Sequence, residues 1–299
     1  MTTPKVSIVI PSYKKDHFEQ CLRSAIGQSY LNTEILVSDN CPTEAIHDIC
    51  QRYPSVIYQR CSALRTDNVL SSFYSGKGEY IKPLFDDDIL HPFCVERMVA
   101  VMESDPSVEM VYSASEIINA GNGRLETRRP YTASGSLVGR ELARQMALGM
   151  CNPIGEFSTI MMRRKKIWDL GASRLFQLSR HDFSLGLADV AAYINLIKDG
   201  KAFYIDEELS YFRRDIDLMS NSNPLSNPNF GYCFSDYIDL ITALFDQALI
   251  SKEELLASEK MVMDVTLQLG ATFPQVMASC LEFQNNLRRI AHHTAKQHD

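Results

Sequence analysis

Three consecutive carboxylates, Asp86, Asp87 and Asp88, follow directly after an apolar run from Tyr80 to Phe85 that is typical of a buried strand. Adjacent carboxylates repel each other unless a cation lies among them. In an open parallel sheet, ligands bind beyond the carboxyl ends of the strands. A divalent cation with oxygen ligands, which usually also holds a substrate phosphate, is therefore the expected partner. The alternative is a solvated acidic turn in which Asp88 caps the helix that begins near Pro92.

Two other predicted strands also end in polar or turn-forming residues. Asp39 follows the strand at residues 35–37, and a Pro-Ser-Tyr turn at residues 11–13 ends the first strand, Val6–Ile10. Because parallel strands end at the same edge of a sheet, these groups are expected to share one crevice with the acidic residues. The alternative for Asp39 alone is a turn aspartate that accepts a hydrogen bond from its own backbone.

The elements that position these groups alternate along the first 113 residues. Short β-branched runs predict strands, and apolar residues that recur at helical spacing, as in Phe18–Ile26, predict amphipathic helices between them. Strict alternation indicates βαβ units and a mostly parallel sheet. Beyond Ser113 the sequence predicts helices at 139–149 and 182–198, a strand at 159–163, a mobile loop at 217–229 and helices from Gly231 to the end.

Composition limits the class of protein. The 299 residues include 30 Lys+Arg and 37 Asp+Glu, a net charge of −7, with 45% hydrophobic residues. This balance is that of a globular chain, and it argues against disorder and against bulk nucleic-acid binding. The sequence contains no apolar run long enough for a membrane span and no signal-peptide pattern. Its eight scattered cysteines predict reduced thiols in the cytoplasm.

Four segments resemble, in order and spacing, the inverting family 2 glycosyltransferases with a GT-A fold. They are VSIVIPSY at 6–13, EILVSDNCPTE at 34–44, GEYI at 78–81 with DDDIL at 86–90, and GKAFYI at 200–205 with LSYFR at 209–213. The resemblance covers residues 4–215. It implies an α/β protein with the GT-A nucleotide-diphospho-sugar transferase fold, a mostly parallel mixed central sheet flanked by helices, and a C-terminal helical extension.

The resemblance also implies a domain organisation. Residues 1–215 are expected to form the transferase domain, with a nucleotide-binding half at 1–113 and an acceptor-binding half at 114–215. The mobile loop and the C-terminal helical extension are expected to make up residues 216–299.

Each residue that matches a family motif inherits an expected role in binding the donor. Pro11 and Tyr13 are expected to flank the nucleotide, and Asp39 is expected to bind the base, typically uracil. Asp86 and Asp87 match carboxylates that contact the ribose and the metal on the diphosphate. With Asp88 as a substitute ligand, the predicted metal ligands are Asp87 and Asp88, and the predicted cofactor is Mn²⁺ or Mg²⁺.

The catalytic base is expected eleven residues before Gly200, at Asp189. The pair at residues 181–182, His-Asp, is a rival that fits the family spacing less well. Four basic residues are candidates for the diphosphate: Arg65, Lys82, Arg213 and Arg214.

Arg213 is favoured among them because it precedes the loop predicted to close over donor and acceptor. Glu156 is expected to bind acceptor hydroxyls, and the alternative is that its segment, residues 154–159, packs in the core.

The implied reaction moves a single sugar from a nucleotide-diphosphate sugar, most often a UDP-sugar, to a hydroxyl of a saccharide or lipid-linked acceptor. Such reactions build surface polysaccharides and glycoconjugates. The Q-x-x-R-W signature of processive synthases is absent from the sequence, which favours the addition of one or a few sugars. The first strand is followed by no GxGxxG, which argues against a dehydrogenase, and the start has no Gly-rich loop of a sugar-phosphate nucleotidyltransferase.

Three departures from the family pattern leave a second function open. Phe85 stands at the family's first Asp position, Cys41 replaces a glycine, and Ala188 replaces the Glu before the base. The alternative is a degenerate domain that binds a nucleotide or a protein partner without catalysis.

The C-terminal end is basic on an otherwise acidic chain, with Arg288, Arg289, His292, His293 and Lys296. Such a segment can approach an anionic membrane at its inner face, where lipid-linked acceptors reside. A solvated helix end and a homo-oligomer contact are the alternatives. The expected location is the cytoplasm, with peripheral membrane contact as an extension of that prediction.

Overall fold

The computed structural model of the protein describes residues 3–214 and 230–295. The predicted loop at 217–229 and Lys296 lie outside these ranges. The strands are β1 Val6–Ser12, β2 Thr33–Asp39, β3 Val56–Arg60, β4 Tyr80–Pro83, β5 Ile89–Leu90, β6 Val108–Ile118, β7 Arg124–Arg128, β8 Gly135–Val138, β9 Ile160–Arg163, β10 Gln177–Leu178, β11 His181–Asp182 and β12 Lys201–Arg213.

The α-helices are α1 Phe18–Ile26, α2 Ala45–Cys50, α3 Thr66–Ser75, α4 Cys94–Ser104, α5 Gly139–Leu148, α6 Arg164–Leu170, α7 Ala188–Ile197, α8 Phe230–Asp246, α9 Lys252–Ala257, α10 Glu259–Leu269 and α11 Pro274–Ala295. Within the described ranges, none of them combines the length and the apolar character needed to cross a membrane.

Ten of the described strands form one mixed sheet. Its strand order is β3-β2-β1-β4-β9-β6-β12-β5, with β7 paired to β6 and β8 paired to β12. The strands β3, β2, β1 and β4 run parallel to one another, and β6 and β12 run parallel to each other. The strand β9 pairs antiparallel with both β4 and β6 and joins the two parallel groups. The predicted α/β fold, with a mixed central sheet flanked by helices, is confirmed.

The strand β1 lies in the interior of the sheet, and all seven of its residues are buried. Its alternate residues Val6, Ile8 and Ile10 pack in one core cluster with residues of α1 and α4 such as Leu22 and Met98. The opposite face of β1 lies against α3. Helices on both faces explain why the strand is mostly apolar and buried along its whole length and does not alternate with exposed polar residues.

A glycine pair fixes the approach of β4 to β1. The helix α3 ends at Ser75, and Gly76 follows it. At Gly78 an added Cβ would lie 2.6 Å from the Lys5 carbonyl oxygen and 2.7 Å from the Ser7 nitrogen. Only a glycine lets the chain pass this close to β1, so Gly78 helps to set the position at which β4 delivers the acidic residues.

The chain divides into two compact units. The first consists of Met1–Gly139, Pro153–Leu175 and Leu196–Asp215, and it contains the ten-stranded sheet; the second consists of Arg140–Asn152, Phe176–Asn195 and Ile216–Asp299. Residues 140–152 and 176–195, which the sequence-based division assigns to the transferase domain, therefore cluster with the C-terminal helices. The predicted helix at 182–198 is shorter in the structure, because residues 181–182 pair with β10.

Candidate active site

The acidic segment, defined as residues 86–88, is fastened to the end of β1 through its first residue. The backbone N–H groups of Tyr13 and Lys14 both donate to Asp86 Oδ2, each at 2.7 Å. Burial, reinforced by the neighbouring charge of Asp87, raises the pKa of Asp86 to about 6, although the two backbone donors oppose the shift. These two bonds bring the end of β1 and the acidic segment together, as the sequence predicts.

The second carboxylate of the segment faces a cation. Lys14 Nζ lies 2.9 Å from Asp87 Oδ2, and the Lys14 side chain is 35% exposed. Burial by itself lowers the pKa of Lys14, but the attraction of Asp87, with Asp86 and Asp88 farther away, outweighs it and the pKa is raised. The lysine therefore keeps its charge beside Asp87.

The third carboxylate points into the protein. Asp88 is 1% exposed, and its two oxygens accept from the Arg213 backbone N–H at 3.0 Å and from the Ser158 hydroxyl. Burial raises the pKa of Asp88 well above its ordinary value. The Ser158 oxygen also accepts from the Phe85 backbone N–H at 3.0 Å. Asp88 thus joins the end of β12 to the segment around Ser158.

Arg213 is 3% exposed and makes five hydrogen bonds, as many as its guanidinium has N–H groups. Nε donates to the Asp87 carbonyl at 2.9 Å. The other four go to the carbonyls of Asn119 and Ala120 and to the side chains of Gln20 and Asn122, at 2.7–3.2 Å. The residue predicted to meet substrate is therefore occupied in holding the acidic segment to α1 and to the β6–β7 turn.

Asp39 ends β2, and strand pairing places it beside Ser12 at the end of β1. The residue is fully buried. Its Oδ1 accepts from the Cys41 backbone N–H at 2.7 Å, and its Oδ2 accepts from the Tyr58 hydroxyl and from Arg60 Nη1, both at 2.8 Å. Asp39 is therefore both a turn aspartate and part of a three-residue polar cluster at the edge of the sheet.

The other predicted donor residues differ in exposure. Pro11 is buried within β1, whereas the Tyr13 side chain is 57% exposed at the end of that strand. Arg65 is exposed and takes a positive φ of 52° just before α3. Lys82 is fully buried, and its ammonium donates to the carbonyls of Pro83 at 2.9 Å and Ser158 at 2.6 Å. The structure thus places Lys82 in the core rather than at a surface that meets a diphosphate.

Glu156 forms a two-pronged ion pair with Arg128. Both Arg128 terminal nitrogens donate to the Glu156 carboxylate, one of them at 2.9 Å. Gly155 lies next to the pair with a φ of 91°, and a side chain there would collide with the Arg128 guanidinium. The Glu156 side chain remains 29% exposed in this ion pair, so a ligand can still reach its carboxylate.

Asp189 is the second residue of α7, within the second compact unit. Its Oδ1 accepts from the Val190 backbone N–H at 2.8 Å, and its Oδ2 accepts from Asn152 Nδ2 at 2.9 Å. These bonds fix the orientation of the carboxylate at the start of the helix.

The rival base, His181, lies in the same unit with Nδ1 4.0 Å from Asp239 Oδ2. Burial is the main reason why its pKa is lowered.

Several residues of this arrangement escaped the sequence-based prediction. Lys14 follows the end of β1, as the predicted site residues follow their strands, and this position in the sequence could have indicated it. Tyr58 and Arg60 lie on β3, the neighbour of β2, and strand order was the signal there. Ser158 lies in a short 3₁₀ helix, Phe157–Thr159, and Asn152 lies in an irregular segment, and no pattern in the sequence marks their partners.

The sheet, its helical layers and the polar residues at its carboxyl edge define a GT-A type α/β protein. The sequence profile described as Glycosyl transferase family 2 matches residues 7–171, more than half of the chain. The chain belongs to glycosyl transferase family 2.

Relatives and solved structures agree with that assignment. An uncharacterized glycosyltransferase of Haemophilus influenzae is 23% identical over 211 residues, which are 69% of this chain and 67% of the relative. The putative teichuronic acid biosynthesis glycosyltransferase TuaG of Bacillus subtilis is 35% identical over 54 residues, 18% of this chain and 21% of TuaG.

The structure of S. aureus TarS 1–349 in complex with UDP-GlcNAc matches 97% of this chain and 92% of TarS 1–349 at 12% identity with a TM-score of 0.62, which shows a shared fold. The chain spans only 14% of the length of one other curated relative, from Sinorhizobium fredii, and 30% of the length of another, CgeD of Bacillus subtilis.

Proposed function

We propose that the protein is an inverting glycosyltransferase that moves a single sugar from a UDP-sugar to an acceptor hydroxyl. The observation that carries the proposal is the fastening of Asp86 to the backbone of Tyr13 and Lys14 beside Asp39, at the carboxyl edge of a parallel sheet. Ligands of open α/β sheets bind at that edge. Membership of the family and the presence of UDP and UDP-GlcNAc in the TarS structures support it.

Each strand end takes one part of the donor in this proposal. Asp39 meets the base, and Pro11 and Tyr13 flank the nucleotide. Asp86 meets the ribose, and Arg65 lies near the nucleotide from the start of α3. The buried network around Asp39 holds its carboxylate in one orientation, which favours selection of one base over others.

Of the two predicted metal ligands, Asp87 and Asp88, we keep only Asp87 in this proposal. Mg²⁺ that holds substrate phosphates commonly uses only one or two protein carboxylates. Asp87 fits, because it is a hard oxygen ligand whose Oδ2 already carries a cation, the Lys14 ammonium. Asp88 does not fit, because both of its oxygens bond inside the protein. We therefore assign Mn²⁺ or Mg²⁺ to Asp87 and replace the predicted role of Asp88 with a structural one. When bound, the ion supplies Lewis-acid stabilisation of the leaving diphosphate.

The chemical step is a single displacement. The acceptor oxygen forms a bond to the anomeric carbon while the bond from that carbon to the diphosphate breaks, and UDP leaves with the bonding electrons. Asp189 accepts the proton of the acceptor hydroxyl as general base. Its bonds to Asn152 and to its own helix backbone hold the carboxylate ready for that proton. The anomeric configuration inverts because one bond replaces another from the opposite face.

Glu156 remains the proposed acceptor contact, held in place by Arg128. Arg213 changes role, because its five hydrogen bonds make it a positioning residue for the acidic segment. The proposed acceptor is a saccharide or a lipid-linked saccharide in surface polysaccharide synthesis, and the name of the relative TuaG, a teichuronic acid biosynthesis glycosyltransferase, supports this proposal.

Exposed Arg288 and Arg289 on α11 are consistent with a peripheral membrane contact or a homo-oligomer contact at that end. The neighbouring His292 and His293 belong to the same proposed basic end.

The test combines UDP binding with turnover. Calorimetry with UDP and Mn²⁺ should detect binding to the wild type and to Asp189→Asn alike. Release of UDP from a panel of UDP-sugars, followed by mass spectrometry, should fall roughly 10²- to 10⁴-fold in Asp189→Asn. Asp264→Asn is the matched control, because Asp264 is an exposed carboxylate of the same unit, on α10, to which no role is assigned.

The outcomes separate the proposal from its alternative. UDP binding without turnover of any UDP-sugar in the wild type would favour a degenerate nucleotide-binding domain, an alternative that the family departures at Phe85, Cys41 and Ala188 support. Absence of binding by every nucleotide tested would refute the donor site. Equal loss in both variants would remove Asp189 from the mechanism.

A further inference from the structure

Lys14 contacts the acidic segment through two different groups. Its backbone N–H donates to Asp86 Oδ2 at 2.7 Å, and its side-chain ammonium reaches Asp87 Oδ2 at 2.9 Å. The ammonium is partly exposed, whereas the carboxylate it contacts is only 11% exposed. A flexible side chain can leave this carboxylate while the backbone bond to Asp86 stays in place.

The charges around Asp87 make the ammonium important. Three carboxyl groups lie in consecutive positions, and oxygens of Asp86 and Asp88 already accept hydrogen bonds from backbone N–H groups and from the Ser158 hydroxyl. Among the described residues, Arg213 is the other cation in contact with the segment, and its guanidinium is held by carbonyl and amide oxygens. Lys14 is thus the cation that faces the Asp87 carboxylate directly.

We propose that Lys14 occupies Asp87 in the nucleotide-free protein, so that the protein takes up a divalent cation together with a nucleotide diphosphate and not alone. This inference rests on the proposed function, because it concerns the same donor site. An ammonium and a divalent cation repel each other at one carboxylate oxygen. A diphosphate brings enough negative charge to keep both cations in the site, with Lys14 turned from Asp87 toward the phosphate oxygens.

The proposal gives Lys14 a role that its neighbour lacks. Lys15 is exposed, and its side chain makes no described contact with the acidic segment, so Lys15→Met is a control for the loss of one positive charge nearby. Lys14→Met keeps the backbone bond to Asp86 and a side chain of similar length. Asp87→Asn removes the charge for which the two cations compete.

The experiment titrates Mn²⁺ into each purified protein, first alone and then with saturating UDP, and counts free Mn²⁺ by electron paramagnetic resonance. Without nucleotide, Lys14→Met should bind Mn²⁺ roughly tenfold more tightly than the wild type, because a neighbouring positive charge is gone. Lys15→Met should match the wild type, and Asp87→Asn combined with Lys14→Met should lose the gain. With UDP present, the advantage of Lys14→Met should shrink or reverse.

Three results would overturn the inference. They are an Mn²⁺ affinity without nucleotide that is the same in Lys14→Met as in Lys15→Met, a gain in affinity that survives Asp87→Asn, and absence of Mn²⁺ binding by Lys14→Met. Calorimetry of UDP binding to the wild type reports separately on the proposed function. Normal UDP binding with an unchanged Mn²⁺ affinity in Lys14→Met would refute the role of Lys14 alone, whereas absence of UDP binding would refute the donor site.

Discussion

Replacing Arg213 with methionine distinguishes a residue that binds substrate from a residue that holds the fold. The side chain is 3% exposed and bonds to five acceptors, which come from α1, the acidic segment and the β6–β7 turn. Methionine has a similar length and no donors, so Arg213→Met leaves all five acceptors without this partner. We expect the main effect on the free energy of unfolding, with loss of nucleotide binding as a consequence.

The expected loss of unfolding free energy in Arg213→Met is the difference between lost hydrogen bonds and recovered desolvation cost. A hydrogen bond to a charged group contributes about 1.5–3 kcal/mol, so five of them set a high upper bound. Removing the buried charge recovers part of its desolvation cost, and a loss of about 3–5 kcal/mol is the expected net result. Arg213→Lys keeps the charge with three donors instead of five, so its loss should be smaller. Arg214→Met is the control, because its side chain is 45% exposed and its ion pair with Glu126 spans 3.4 Å, which predicts a change within about 0.5 kcal/mol.

The assay is urea unfolding followed by hydrogen exchange of peptides from residues 108–128, because two compact units can unfold separately. Faster exchange in this region in Arg213→Met, and not in Arg214→Met, supports the positioning role. If both variants unfold at the same urea concentration while only Arg213→Met loses UDP or acceptor binding, the residue contacts substrate and our reasoning is wrong.

Two further variants test the packing and the charges. Gly78→Ala should lower the free energy of unfolding by about 1–3 kcal/mol in urea titrations, because its Cβ would meet backbone atoms next to β1. Gly135→Ala is the control and should not lower it, because no atom lies within 4 Å of the added Cβ. Equal effects of the two substitutions would contradict the close approach of the chain at Gly78 to β1. Burial raises the pKa of Asp236 from 3.8 to about 7. A raised folded-state pKa means that the stability of the wild type falls as pH rises from about 4 to 7. Asp236→Asn should therefore be more stable than the wild type by about 3 kcal/mol at pH 8 and by much less at pH 4.5. A difference in thermal unfolding between the two proteins that does not change with pH would refute this prediction.

The order of strands and helices in the first half was predictable because their signals are local. The apolar run of β1 and the helical spacing of α1 arise from burial on one or two faces, which the sequence shows directly. Local signals fail where pairing partners are distant. The strand β6 extends to Ile118, beyond the 113 residues over which the sequence predicts alternating strands and helices, because β12 and β7 pair with its second half.

In the site, too, positions set by local sequence were predictable, whereas contacts between residues far apart in sequence were not. The places of Asp39 and Asp87 at strand ends followed from the sequence, because parallel strands end at one edge. The direction in which each side chain points did not follow. Asp88 meets Arg213, 125 positions away, and Ser158, 70 positions away, and no local pattern records such pairs.

Three neighbouring aspartates can lie together here because the fold gives each a different surrounding. Asp86 accepts two backbone N–H groups, Asp88 accepts a hydroxyl and a third backbone N–H, and Asp87 faces the partly exposed ammonium of Lys14. Backbone donors are fixed in place and carry no net charge, so they help Asp86 and Asp88 to shape the turn, while Asp86 keeps its proposed contact with the ribose. In our proposal, the exchangeable partner of Asp87 is the ammonium of Lys14. The metal chemistry that we propose for the acidic segment therefore depends on Asp87, and the other two aspartates hold it at the edge of the sheet.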